Sequence, residues 1–130
     1  MSESRSMCFA ADVTHLASVR DFASIAYQEL GAMWDRDDLL VVVGELAANA
    51  AIHQRSESRL ILTRRDDETM QVDVVDRDPT IPAVVHNEPW DLDGHRGLPL
   101  VDALSVSWGV EPSGDGKRVW AILARVPAAV

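Results

Sequence analysis

A single cysteine, Cys8, in 130 residues leaves no internal disulfide to form. With no CxxC pair and no His/Cys cluster there is also no structural zinc site. Cys8 lies in a strand-like stretch and is expected to be a small buried hydrophobe. Basic residues are in deficit, with 12 Lys and Arg against 21 Asp and Glu and a formal net charge of −9. That balance repels phosphate backbones, so direct nucleic-acid binding is not expected and a basic protein partner suits the charge better. Long apolar runs are missing too. None approaches the length of a bilayer span, and no apolar segment of signal-peptide length follows MSESRSM, so the expectation is a cytoplasmic protein with no membrane contact. There is no internal repeat and no low-complexity tract.

What remains is an ordinary globular composition, 47% hydrophobic and 25% charged, in a chain long enough to bury a core. A single domain over 1–130 is expected, with residues 1–6 a flexible start. Cys8 to Ala11 reads as a strand. Thr14 is the expected N-cap of a helix to about Leu30, with Leu16, Val19, Phe22, Ala23, Ala26, Tyr27 and Leu30 on its inner face and Gly31 closing it. Asp35, Asp37 and Asp38 load the start of a second helix, where negative charge suits the macrodipole, and that helix runs to about His53. The period then shortens to two, and residues around Leu60–Thr63 and Met70–Val75 read as a hairpin across the turn-like RRDDE. Residues 76–96 lose periodicity and gain three prolines, a span long enough to suggest a functional loop. A short helix over 98–103 and two strands follow, with Trp108 and Trp120 expected as core anchors. The order predicts an α/β fold, a two-layer α/β sandwich whose helices cover one face of a largely antiparallel mixed sheet.

The second helix carries the most informative pattern. In GELAANAAIHQ, Glu45, Asn49 and His53 recur every fourth residue, which places them on one face, one turn above the next. At about 100° per residue, Asp38, Glu45 and Asn49 share one narrow line between two apolar flanks. Spacing alone leaves two readings open: a half-buried helix edge, or a stripe that serves chemistry. DLDGH over 91–95 starts like an EF-hand, but the sixth loop position is Arg96 where glycine is needed.

Three segments in order, ELAANAAIH (45–53), VDVVDRDPTIP (72–82) and HRGLPLVDALSVSWGVEPSGDGKRVW (95–120), resemble the anti-sigma-factor-like serine kinases. These belong to the histidine-kinase-like ATPase superfamily, with gyrase, heat-shock chaperone ATPases and mismatch-repair ATPases. The resemblance implies ATP and Mg²⁺ as cofactors. Asn49 would be the metal ligand, Glu45 the general base, and His53 a phosphate-side neighbour or a plain helix-end residue. Asp76 would accept a hydrogen bond from the adenine amine, Arg96, Gly97 and Leu98 would lie beside the phosphates, and Lys117 would belong to the nucleotide site. The span 76–96 would be a nucleotide lid. The partners implied are a sigma factor and an antagonist protein, with homodimer formation common among such proteins.

The chain departs from the pattern at three places. DRDPTIP stands for the superfamily's DxGxG, His95 for a glycine, and Arg118 for a threonine that helps hold the adenine network. Two other readings therefore stand beside the kinase: a non-catalytic protein-binding module on the same fold, and an ATPase or nucleotide sensor without a protein substrate.

Overall fold

A computed structural model describes residues 2–10, 13–53, 57–77, 98–114 and 116–127, and side chains are not described for Val13 and residues 51–53. Strand β1 spans Glu3–Phe9, helix α1 Leu16–Glu29, helix α2 Arg36–His53, β2 Ser58–Arg64, β3 Met70–Asp76, α3 Leu98–Leu104, β4 Ser107–Ser113 and β5 Gly116–Leu123. The sheet order is β1-β2-β3-β5-β4, and every pairing is antiparallel. Helix α1 packs against β1 and β2, α2 against β3 and β5, and α3 against α2 and β4. This is the two-layer α/β sandwich the sequence predicts.

Alternation along the strands decides which side chains meet the helices. Leu60 and Leu62 of β2, Met70, Val72 and Val74 of β3, and Ala121 and Leu123 of β5 are buried on one face. They meet Leu39, Val42, Val43, Leu46 and Ala47 of α2 and Val19, Ala23, Ala26 and Tyr27 of α1 in one core. The polar stripe of α2 runs along the edge of this contact, and Asp38, Glu45 and Asn49 are all half-buried.

Trp34, in the link between the two long helices, is the largest side chain in the core and is 1% exposed. Its indole Nε1 donates to Glu68 O at 2.9 Å, while the Tyr27 hydroxyl donates to Trp34 O at 2.6 Å. The link itself turns on Gly31 and Ala32, at φ 115° and 55°. Asp35 then caps α2, its carboxylate accepting from the Asp38 amide at 2.9 Å.

Four sequence expectations are corrected. The first strand, expected over Cys8 to Ala11, runs over Glu3–Phe9 and pairs with β2 from Glu3↔Arg64 onward. Cys8 is exposed, because the pleat points it away from the helices, opposite Arg59. His15, not Thr14, stands at the N-cap of α1 after a short 3-10 turn, with no side-chain cap. Trp108 and Trp120 are both half-buried. Trp108 packs at the margin of the core and donates to Asp102 at 2.8 Å. Trp120 faces the other way and lies against Gly109.

The face of the sheet away from the helices carries Asp73, only 5% exposed, paired with Arg118 at 2.9 Å and accepting from Gln71. Burial raises the Asp73 carboxyl above its ordinary value, against the opposing pull of Gln71 and Arg118. A carboxyl whose pKa is raised by folding contributes most below its unfolded value, and that contribution is lost as pH rises through the folded value. Asp73→Asn should therefore gain on the parent as pH rises above the carboxyl's ordinary value of 3.8, seen as a difference in urea midpoints that moves in the variant's favour. A difference that stays constant with pH would show that folding leaves this carboxyl's affinity for protons unchanged.

Candidate functional site

Glu45 and Asn49 sit one turn apart in the C-terminal half of α2, where Ala47 and Ala50 tuck toward the core. Their half-burial follows from the boundary position, and a rigid helix fixes their spacing. Glu45 borders an open cleft of about 390 Å³ shared with Asp37, Leu40 and Val41 of α2 and Arg20 of α1. The Arg20 side chain lies across Gly44, its Nε 3.0 Å from where a Cβ would stand. Gly44 thus leaves the space that the Arg20 guanidinium occupies, on the cleft that Glu45 also lines. Sequence reasoning missed Arg20, which lies on the other helix and belongs to no spacing pattern with Glu45.

The ends of β3 and β5 bring two of the sequence-predicted residues together. Asp76 and Lys117 are register partners. Lys117 Nζ lies 3.0 Å from Asp76 Oδ2, with side chains 5% and 1% exposed. Alternation puts both on the helix-facing side, in line with Val74 and Val119. Arg118 therefore faces away from Asp76, and engages Asp73 and Glu111 on the opposite face. The residue beside Asp76 is Lys117.

Leu98 opens α3 and is 2% exposed. The other predicted phosphate-side residues, Arg96 and Gly97, lie outside the described residues, as do His95 and residues 78–96 of the expected lid. His53 ends α2, and its side chain is not described.

These residues suit a magnesium nucleotide. A purine edge asks for hydrogen-bond acceptors and donors in a dry place, and the buried Asp76–Lys117 pair is one of each. Magnesium is commonly held by one or two protein oxygens together with phosphates and waters, and Asn49 supplies a neutral oxygen from a fixed helix. Among the described residues, no group of three or more His, Cys, Asp or Glu gathers to cage a metal.

The family model of the histidine kinase-like ATPase domain matches residues 9–123. The chain belongs to this family. Among solved structures, it is similar to the RsbU and RsbW domains of Rv1364c from Mycobacterium tuberculosis, with a TM-score of 0.69 and 18% identity. That likeness covers 97% of this chain but only 34% of the other, so the chain spans about a third of that protein's solved length. At this identity the likeness is one of fold. No curated protein matches the chain. Among the described residues no helix is long and apolar enough to cross a membrane.

Proposed function

We propose that the protein is an ATP-binding serine kinase of the anti-sigma-factor type, transferring the terminal phosphate of ATP to a Ser or Thr hydroxyl of an antagonist protein. The observation that carries this reading is the buried Asp76–Lys117 pair at the strand ends, in a family match that spans α2 and strands β2 to β5. Asp76 accepts a hydrogen bond from the adenine amine. Asn49 ligates magnesium, whose positive charge, when bound, neutralises the phosphates. Glu45 accepts the proton as the substrate oxygen bonds to the terminal phosphorus and the bond to the bridging oxygen of ADP breaks. Arg20, on the same cleft as Glu45, brings a cation to this side of α2. The partner side of the proposal is a sigma factor or its antagonist in the cytoplasm, and the −9 charge suits a basic, DNA-binding sigma factor.

The ion pair also favours a second reading. Asp76 and Lys117 satisfy one another's charge, as they would in a non-catalytic protein-binding module that reads no base. Calorimetric titration separates the two. Mg-ATP is expected to bind, with Mg-GTP and metal-free ATP both weaker. No binding at millimolar Mg-ATP would overturn the kinase reading and leave the module.

A further inference from the structure

Beyond Leu123 the chain continues from β5 as an exposed segment, residues 124–127, at the opposite end of the strand from Lys117. It grips the fold at two points. The Val126 amide donates to Met33 O at 2.8 Å, in the α1–α2 link, and the Arg125 guanidinium pairs with Glu68, in the β2–β3 turn. Between this segment and the link lies an open cleft of about 500 Å³, lined by Met33, Trp34, Arg36, Arg125, Val126 and Pro127 among others.

The two grips adjoin the two places where the backbone is strained. Ala32 and Glu68, at φ 55° and 65°, are the non-glycine residues with positive φ among the described residues. Side chains rarely tolerate that conformation unless their surroundings fix it. Ala32 precedes Met33, and Glu68 is the residue that Arg125 engages. From within, the Tyr27 hydroxyl lies 3.2 Å from Ala32 O, and the Trp34 indole donates to Glu68 O at 2.9 Å. Arg64 brings a second cation to Glu68, at 3.5 Å, and donates to Leu30 O at 3.2 Å.

We infer that residues 124–127 are a charge-held latch that keeps the α1–α2 link and the β2–β3 turn in their strained conformations, and that opens when the Arg125–Glu68 pair is lost. The grip is light. It consists of one backbone hydrogen bond and one ion pair whose side chains are 47% and 38% exposed, where salt weakens the attraction. Ordering the segment costs backbone entropy that these contacts barely offset, so the open form is a populated minor state. Opening frees Met33 O and takes one of two cations from Glu68, and Ala32 and Glu68 then relax. The link leads through the Asp35 cap into α2, so the latch sets how firmly the helix that bears Glu45 and Asn49 is seated at its start. None of this requires a bound nucleotide.

Hydrogen exchange by mass spectrometry on the whole protein tests the latch, with peptides over 30–36 and 65–70 as reporters and the strand over 72–75 as reference. Arg125→Gln combined with Val126→Pro removes the ion pair and the amide hydrogen without entering the core. Both reporters are expected to exchange roughly three- to fiftyfold faster than in the parent, the range for one hydrogen bond and one exposed ion pair, with the reference unchanged. Added salt should speed the reporters in the parent and leave the variant as it is, because its latch is already open. In an Ala32→Gly background, where glycine adopts φ 55° without strain, opening the latch should speed the 30–36 reporter less. Equal exchange in parent and variant would overturn the latch. So would a rise in the reference strand as large as in the reporters, which marks a general loss of stability. Salt acting equally on parent and variant overturns its being held by charge, and an undiminished effect in the Ala32→Gly background overturns its holding strain.

Discussion

Glu45→Gln is expected to lower phosphotransfer by ~10²–10⁴-fold while leaving ATP affinity close to that of the parent. Glutamine keeps the size and hydrogen-bonding reach of glutamate but cannot take the proton of the attacking hydroxyl. The site tolerates the exchange, because Glu45 is half-buried at the rim of an open cleft and is not packed into the core. Asn49→Ala, one turn further on, should behave differently. It removes the proposed metal ligand, so magnesium-dependent binding and transfer fall together, while adenosine without phosphates binds as before. Single-turnover transfer and calorimetry on both variants check this. If both bind Mg-ATP and transfer phosphate like the parent and only melt earlier, the stripe is structural. If Glu45→Gln alone keeps full transfer, the base lies elsewhere or proton removal is not limiting.

Legibility in the sequence followed the range of the forces involved. The period of α1 and α2 is set by residues three and four apart, and the inner-face residues Val19, Ala23, Ala26, Tyr27 and Leu30 are buried as the period predicts. The acidic load at the start of α2 and the Gly31 stop are also local, and both are present. What was illegible depends on residues far apart. A strand over Glu3–Phe9 cannot be inferred from ESRSMCF, whose polar residues pair along an edge with β2 and owe their order to that partner. Trp34 sits in no periodic element, and its burial comes from Tyr27 on one side and the Glu68 turn on the other. The candidate site shows the same division. Glu45 and Asn49 were visible as a helical stripe. The contact of Asp76 with Lys117, and the turning of Arg118 to the far face, depend on the β3–β5 register, which a one-residue slip would invert.

Gly116→Ala is expected to damage both the fold and the site, and Gly109→Ala only slightly. Neither glycine has a positive φ, so the difference is one of space. At Gly116 the added methyl would meet Asp76 O at 1.9 Å, Arg77 Cα at 2.5 Å and Asp76 C at 2.6 Å, all of them backbone. Backbone in a paired strand cannot rotate aside, so the ends of β3 and β5 must separate where Asp76 and Lys117 are held. Overpacking of this kind costs about 1–3 kcal/mol or more. ATP affinity should fall with it, because the carboxylate and the ammonium move out of register. At Gly109 the methyl would meet the Trp120 ring, at 2.9 Å from Cζ2. That side chain is half-buried and can swing away, and alanine favours a strand over glycine by roughly 0.5–1 kcal/mol, which offsets part of the strain. Urea unfolding and Mg-ATP titration of the two variants side by side make the comparison. Unchanged stability and unchanged affinity in Gly116→Ala would mean that the β3–β5 junction yields easily, and that Asp76 is not held by the backbone that adjoins it.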